Sequence, residues 1–134
     1  MKRRSSRSIR GKHVVNDRGA VAVEFALVAP ILLALVAGIV EFSHAYNLQI
    51  SVTQAAREAA REMAIEDDQG AAALAAAAGA PGLSTGDFEY SFSPAACADG
   101  DNMTVTITYP AATMTGIFGS SVTVTGVGAM RCGG

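Results

Sequence analysis

The chain has 134 residues and a formal charge of −2; half of its residues are hydrophobic, aromatics are few and Trp is absent. That length holds one small domain beside a membrane segment and excludes two sizeable cores. Much of the apolar content is Ala, which buries little surface per residue and excludes a large aromatic core.

The near-neutral total hides a sharp division. Residues 1–19 carry Lys2, Arg3, Arg4, Arg7, Arg10, Lys12 and Arg18 against the single acid Asp17, whereas the rest has only Arg57, Arg61 and Arg131 against eleven carboxylates. Basic tails often bind polyanions, but this one leads directly into an apolar run of bilayer length. The expectation is therefore a cytoplasmic leader that holds its flank inside the cell, not a nucleic-acid-binding arm. The apolar run reads AVAVEFALVAPILLALVAGIV from Ala20 to Val40. About twenty residues at ~1.5 Å each span the hydrocarbon layer. Ile31 to Val40 has no polar face, which favours a membrane segment, assigned to 20–42, over a buried soluble helix.

From Glu41 to Glu66 the pattern becomes amphipathic. Ala45, Leu48, Val52, Ala55, Ala59 and Met63 recur every three or four residues and share one helical face. No Gly or Pro intervenes after Gly38, so one continuous helix from Ala20 to Glu66 is expected, roughly 70 Å long. Asp67-Asp68 should end it, because carboxylates suit the start of a helix better than its end. A second helix is expected over Gln69–Ala78, stopped by Gly79 and Pro81. The two helices make up an extracytoplasmic region at 43–80.

From Gly86 the period changes to two, defining a β-rich domain at 86–134. Phe88, Tyr90 and Phe92 alternate with polar residues, as do Met103, Val105, Ile107 and Tyr109; Val122, Val124 and Val127 form a third, Gly-interrupted run. Three antiparallel strands with one buried face are expected. Such a sheet is not stable alone and should bury its face against the Ala-lined helix. The second connection, Thr113 to Phe118, is an apolar patch suited to resting on the bilayer or on the helix. The fold class is α+β. Cys97 and Cys132 bracket most of the β region with no competing cysteine, which in an oxidising compartment favours a disulfide over two free thiols.

Glu24 needs a physical reason. An ionised carboxylate in the apolar layer costs a few kcal/mol unless it is shallow or paired. Cleavage after Gly19 would give Ala20 a free amine, with Glu24 four residues on along the same helical side. That amine, or a neighbouring subunit's, would neutralise the acid.

Gly19-Ala20 with Glu24 resembles the cleavage site of type IV prepilin-like proteins. The longer stretch RGAVAVEFALVAPILLALVAGIVEFSHAYNLQISVTQAAREAAR resembles the TadE family of tight-adherence (Flp) pilus systems. Gly19, Glu24, Phe25, Pro30, Gly38, Glu41 and the Ala-Ala-Arg-Glu-Ala-Ala-Arg run at 55–61 carry the likeness; the closing VTVTGVGAMR matches more loosely. The resemblance implies a type IV pilin-like layout and a minor pseudopilin, cut after Gly19 by a prepilin peptidase and required for pilus biogenesis. The implied partners are that peptidase, other Flp pilins and pseudopilins, the assembly platform and membrane lipid, with no nucleic acid and no cofactor. The implied location is the inner membrane, N-terminus cytoplasmic and C-terminal domain outside, in or released with the pilus. Major Flp pilins usually carry Tyr where Phe25 stands, and they are shorter, which argues against a main filament subunit. Ala22, Ala26, Ala34 and Gly38 are small residues, spaced mostly by four, that permit close helix approach, though ordinary Ala-rich membrane composition would look the same.

Two rival readings are a secreted protein cut after Ala45, which requires an overlong signal core containing Glu24, and an unprocessed signal-anchored scaffold. An enzyme is not expected. His13 lies in the leader and His44 at the membrane edge, and no nucleophile triad, phosphate-binding Gly loop or zinc spacing is present. Asp99-Gly100-Asp101-Asn102 lacks the rest of a Ca²⁺ loop and reads as a solvated turn, so no metal is expected.

Overall fold

The computed structural model describes residues 17–117 and 119–133, without the Asp17 side chain; most of the basic leader, Phe118 and Gly134 lie outside the described residues. The chain is an α+β protein in which a long N-terminal apolar helix packs through its later turns against a small antiparallel sheet. The elements are α1 (Asp17–Glu66), α2 (Gln69–Gly79), a short 3₁₀ turn (Thr85–Asp87), β1 (Glu89–Ser93), β2 (Asn102–Ala112) and β3 (Ser121–Arg131). They divide into a helical segment ending at Leu35 and a second unit that begins at Val36.

In the first unit the apolar side chains face outward, with Phe25 72 % and Leu33 69 % exposed. By length and composition α1 is able to cross a membrane, consistent with single-pass anchoring. Pro30 lies inside the helix.

In the second unit α1 turns amphipathic and buries Val52, Ala55, Ala56, Ala59, Ala60 and Met63 completely. These positions trace one helical stripe. Asp67 ends α1 in the left-handed region (φ 50°), where its N–H still donates to the Met63 carbonyl. Asp68 then caps α2: its carboxylate accepts from the Gly70 N–H at 2.6 Å and the Ala71 N–H at 2.9 Å. Two consecutive aspartates thus make the corner of a helical hairpin. The hairpin closes tightly because α2 presents small residues. A Cβ at Gly79 would stand 3.1 Å from Glu58 Cγ and 3.3 Å from Ala55 Cα.

The sheet order is β1-β2-β3, antiparallel throughout. Met103, Val105 and Ile107 of β2 are fully buried. On β1 the aromatics form an edge: Tyr90 and Phe92 stack nearly parallel at 6.1 Å, and Phe88 meets Tyr109 edge-on at 5.5 Å. Burial pushes the Tyr90 phenol above its ordinary ionisation range. β3 departs from the expected valine face. Val124 is buried, but Val127 is 52 % exposed and Val122 41 % exposed; the inward positions after Val124 are Gly126 and Gly128. A Cβ at Gly126 would lie 2.4 Å from the Val52 carbonyl oxygen, and one at Gly128 2.2 Å from that of Ala56. The α1 backbone therefore lies directly on β3, a separation only glycine allows. Gln49 fixes the register, donating from Nε2 to the Thr125 carbonyl at 2.7 Å.

Cys97 and Cys132 are joined by a disulfide, linking the β1–β2 connection to the end of β3. Around it the Cys132 N–H donates to the Asp101 carbonyl at 2.8 Å, the Cys97 N–H donates to Asp67 Oδ1, and Gln69 Nε2 donates to the Ala95 carbonyl at 3.0 Å. The helical corner and the covalent link thus reinforce each other.

Candidate functional site

The residues singled out for processing lie along the start of α1. The described part of α1 starts at Asp17, and the Gly19–Ala20 bond lies within it in helical conformation. Ala20, Ala22, Glu24, Phe25, Ala26 and Ala34 are all exposed. A Cβ at Gly19 or at Gly38 would meet nothing within 4 Å, so neither glycine is required by packing among the described residues. Glu24 and Phe25 form no site with another element among the described residues; they belong to an outward-facing apolar surface. Surfaces of this kind are covered by lipid or by other subunits.

The second cluster centres on Glu41, which the sequence marks only as part of the family likeness, with no contact foreseen for it. Glu41 is only 7 % exposed, at the point where the apolar run gives way to the amphipathic one. Its carboxylate reaches the β2–β3 connection and accepts three hydrogen bonds. The Met114 N–H donates to Oε1 at 3.0 Å, and the Thr115 N–H and hydroxyl both donate to Oε2 at 2.8 Å. Two backbone donors and a hydroxyl converging on one carboxylate satisfy it without a counter-charge. Beside it Gly38, Phe42, Ala45, Thr113 and Val122 line an apolar recess. Gly38 is thus placed in a recess of this chain as well as in the stripe of small residues.

The connection between β2 and β3 therefore rests on the helix through a defined clamp. Met114 and Ile117 nevertheless remain 62 % and 60 % exposed. A Glu just past an apolar run, followed far along the chain by a short connection rich in Thr and Gly, was the available signal; their pairing is non-local and depends on how the sheet seats on α1. The carboxylates Asp99 and Asp101 lie in the β1–β2 connection near the disulfide. Among the described residues no cluster of three or more His, Cys, Asp or Glu side chains is arranged to hold a metal ion.

Comparison with known proteins adds one finding. Residues 19–61 match the family model described as TadE-like protein, just under a third of the chain. The match starts at Gly19, takes in Glu24, Phe25, Pro30, Gly38 and Glu41 and most of the buried stripe of α1, and ends at the exposed Arg61. No curated protein and no solved structure matches the chain.

Proposed function

We propose that this TadE-like protein of the tight-adherence (Flp) pilus system is a membrane-anchored minor pseudopilin that acts in pilus assembly and not in catalysis. The observation that carries the reading is an exposed carboxylate, Glu24, in the apolar surface of α1, five positions after Gly19 and inside the region that matches the family.

In this reading the positive leader holds the precursor with its N-terminus in the cytoplasm and its second unit outside. A prepilin peptidase cuts the Gly19–Ala20 bond. The new ammonium of Ala20, in this chain or an adjacent subunit, then neutralises Glu24 and sets the axial register between helices. Ala22, Ala26, Ala34 and Gly38 permit close approach to other pilins and pseudopilins, and Phe25 adds an apolar contact at the same level. The β-rich unit, too large for a main filament subunit, faces other pilus components or the assembly platform. Its disulfide suits an oxidising compartment.

The test is complementation. Cells lacking this protein should make few or no Flp pili, and the full chain should restore them. Glu24→Val should insert into the membrane at least as well yet fail to restore piliation. Normal piliation with Glu24→Val, or in cells lacking the protein altogether, would overturn the reading.

A further inference from the structure

We propose that the β2–β3 connection is a second lipid contact, with Met114 and Ile117 dipping into the bilayer interface beside the end of the α1 apolar segment and Glu41 acting as the clamp that holds them there. The inference rests on the reading that this apolar segment spans a bilayer.

Four observations support it. The first is position: the Met114 and Thr115 N–H groups are hydrogen-bonded to Glu41, in the same stretch of α1 as the outward-facing Ile39, Val40 and Phe42, which are 58 %, 44 % and 74 % exposed. Lipid that covers the end of the helix therefore reaches the connection. The second is charge. No Asp, Glu, Lys, Arg or His occurs between Asp101 and Arg131, so no charged side chain of the β2–β3 connection or of the strand ends that flank it resists entry into a layer of low dielectric constant.

The third is the backbone. Each unpaired backbone group adds to the cost of placing irregular chain against lipid, so pairing within the protein lowers that cost. Here the Thr113 N–H donates to the Ser120 carbonyl at 3.2 Å and the Gly119 N–H to the Gly116 carbonyl at 3.3 Å. The Ile117 N–H donates to Thr115 Oγ1 at 3.4 Å, and the Met114 and Thr115 N–H groups donate to Glu41, so five amides of the connection are paired within the protein. The fourth is the side chains. Among the described residues of this short turn Met114 and Ile117 are the large apolar ones, and they stay outside while Ala111 and Val124 of the flanking strands are buried, at 1 % and 4 % exposed. They point away from the protein next to a surface that is itself apolar. A lipid interface takes unbranched and branched aliphatic chains equally and needs no matching pocket.

The chain has no Trp, so a single introduced Trp reports its own surroundings. The full chain carrying Ile117→Trp would be reconstituted into phosphatidylcholine vesicles with or without bromine on the upper acyl carbons. Ile39→Trp serves as the membrane reference and Leu74→Trp, on the exposed side of α2, as the water reference. The expected result is a blue-shifted Ile117→Trp emission whose loss in brominated vesicles matches that of Ile39→Trp, while Leu74→Trp is unquenched. Met114→Trp should behave like Ile117→Trp, and adding Glu41→Ala should reduce the quenching at Ile117→Trp. Quenching at Ile39→Trp with none at Ile117→Trp and Met114→Trp would overturn the lipid contact while leaving the anchor standing. No quenching at Ile39→Trp would remove the anchor itself. Equal quenching at Leu74→Trp would show general adsorption and would also overturn the proposal.

Discussion

Adding one methyl group to β3 should separate helix from sheet. In Gly128→Ala the new Cβ would stand 2.2 Å from the Ala56 oxygen and 2.6 Å from the Arg57 nitrogen. Both atoms belong to helix backbone, so no flexible side chain can move aside. Restoring an ordinary contact needs a retreat of about 1 Å, and a gap of that size forfeits a quarter to a half of the dispersion energy across it. Overpacking of this kind costs about 1–3 kcal/mol, and a backbone obstacle places the cost near the top. The lower chain entropy of Ala in the unfolded state offsets roughly 0.4–1 kcal/mol. A net loss of about 2 kcal/mol remains, and in a unit of this size that lowers Tm by about 8–16 °C. The near-UV circular dichroism of the tyrosines, followed on heating the full chain in detergent micelles, reads the sheet without interference from the membrane segment. Gly86→Ala is the control, since nothing lies within 4 Å of its Cβ position; it should fall within about 0.5 kcal/mol of the parent. If Gly128→Ala melts with Gly86→Ala, the account of β3 lying on the α1 backbone is wrong. Gly126→Ala should behave like Gly128→Ala, and the double variant should lose less than the sum, because both methyl groups lift the same helix.

Other consequences follow from the clamp, the cap and the disulfide. Glu41→Ala removes the acceptor of two backbone donors, so hydrogen exchange at Met114 and Thr115 should accelerate while exchange at Ile107 is unchanged; Glu41→Gln, which keeps acceptor capacity through one oxygen, should lie between. Asp68→Ala removes the cap of α2 and should cost about 1 kcal/mol, read as a lower Tm. Breaking Cys97–Cys132, with a sequence separation of 35, removes up to about 4 kcal/mol in the chain-entropy account. The melt should broaden and shift down, with faster exchange first at Gly100 and Cys132, whose amides are held beside the link.

Much of the architecture is local information and could be read directly. The 3.6-residue stripe from Val52 to Met63 and the alternation through Met103, Val105 and Ile107 set out the helix and the central strand, and Asp68 before Gln69 marked the second helix. β3 was less legible because valines suggested its inward face. The inward positions are instead Gly126 and Gly128, whose value lies in the side chain they lack, and a propensity-based reading gives such residues little weight. The long-range contacts of Asp67 and Glu41 escaped for a different reason. Each acts on a segment distant in sequence, Cys97 for one and Met114-Thr115 for the other, and no periodicity encodes a pairing that exists only after the sheet has docked. The N-terminal candidates are the reverse case. Gly19, Ala20, Glu24 and Phe25 were found by their spacing and resemblance; among the described residues no other element packs on them, and the partners proposed for them are a new amino terminus and other molecules.

The most direct test of the whole account is the mass of the mature protein, measured on membranes from cells with and without the prepilin peptidase. The account predicts a chain beginning at Ala20 when the peptidase is present and one retaining residues 1–19 when it is absent. A protein of identical mass in both, or one beginning at Tyr46, would contradict it.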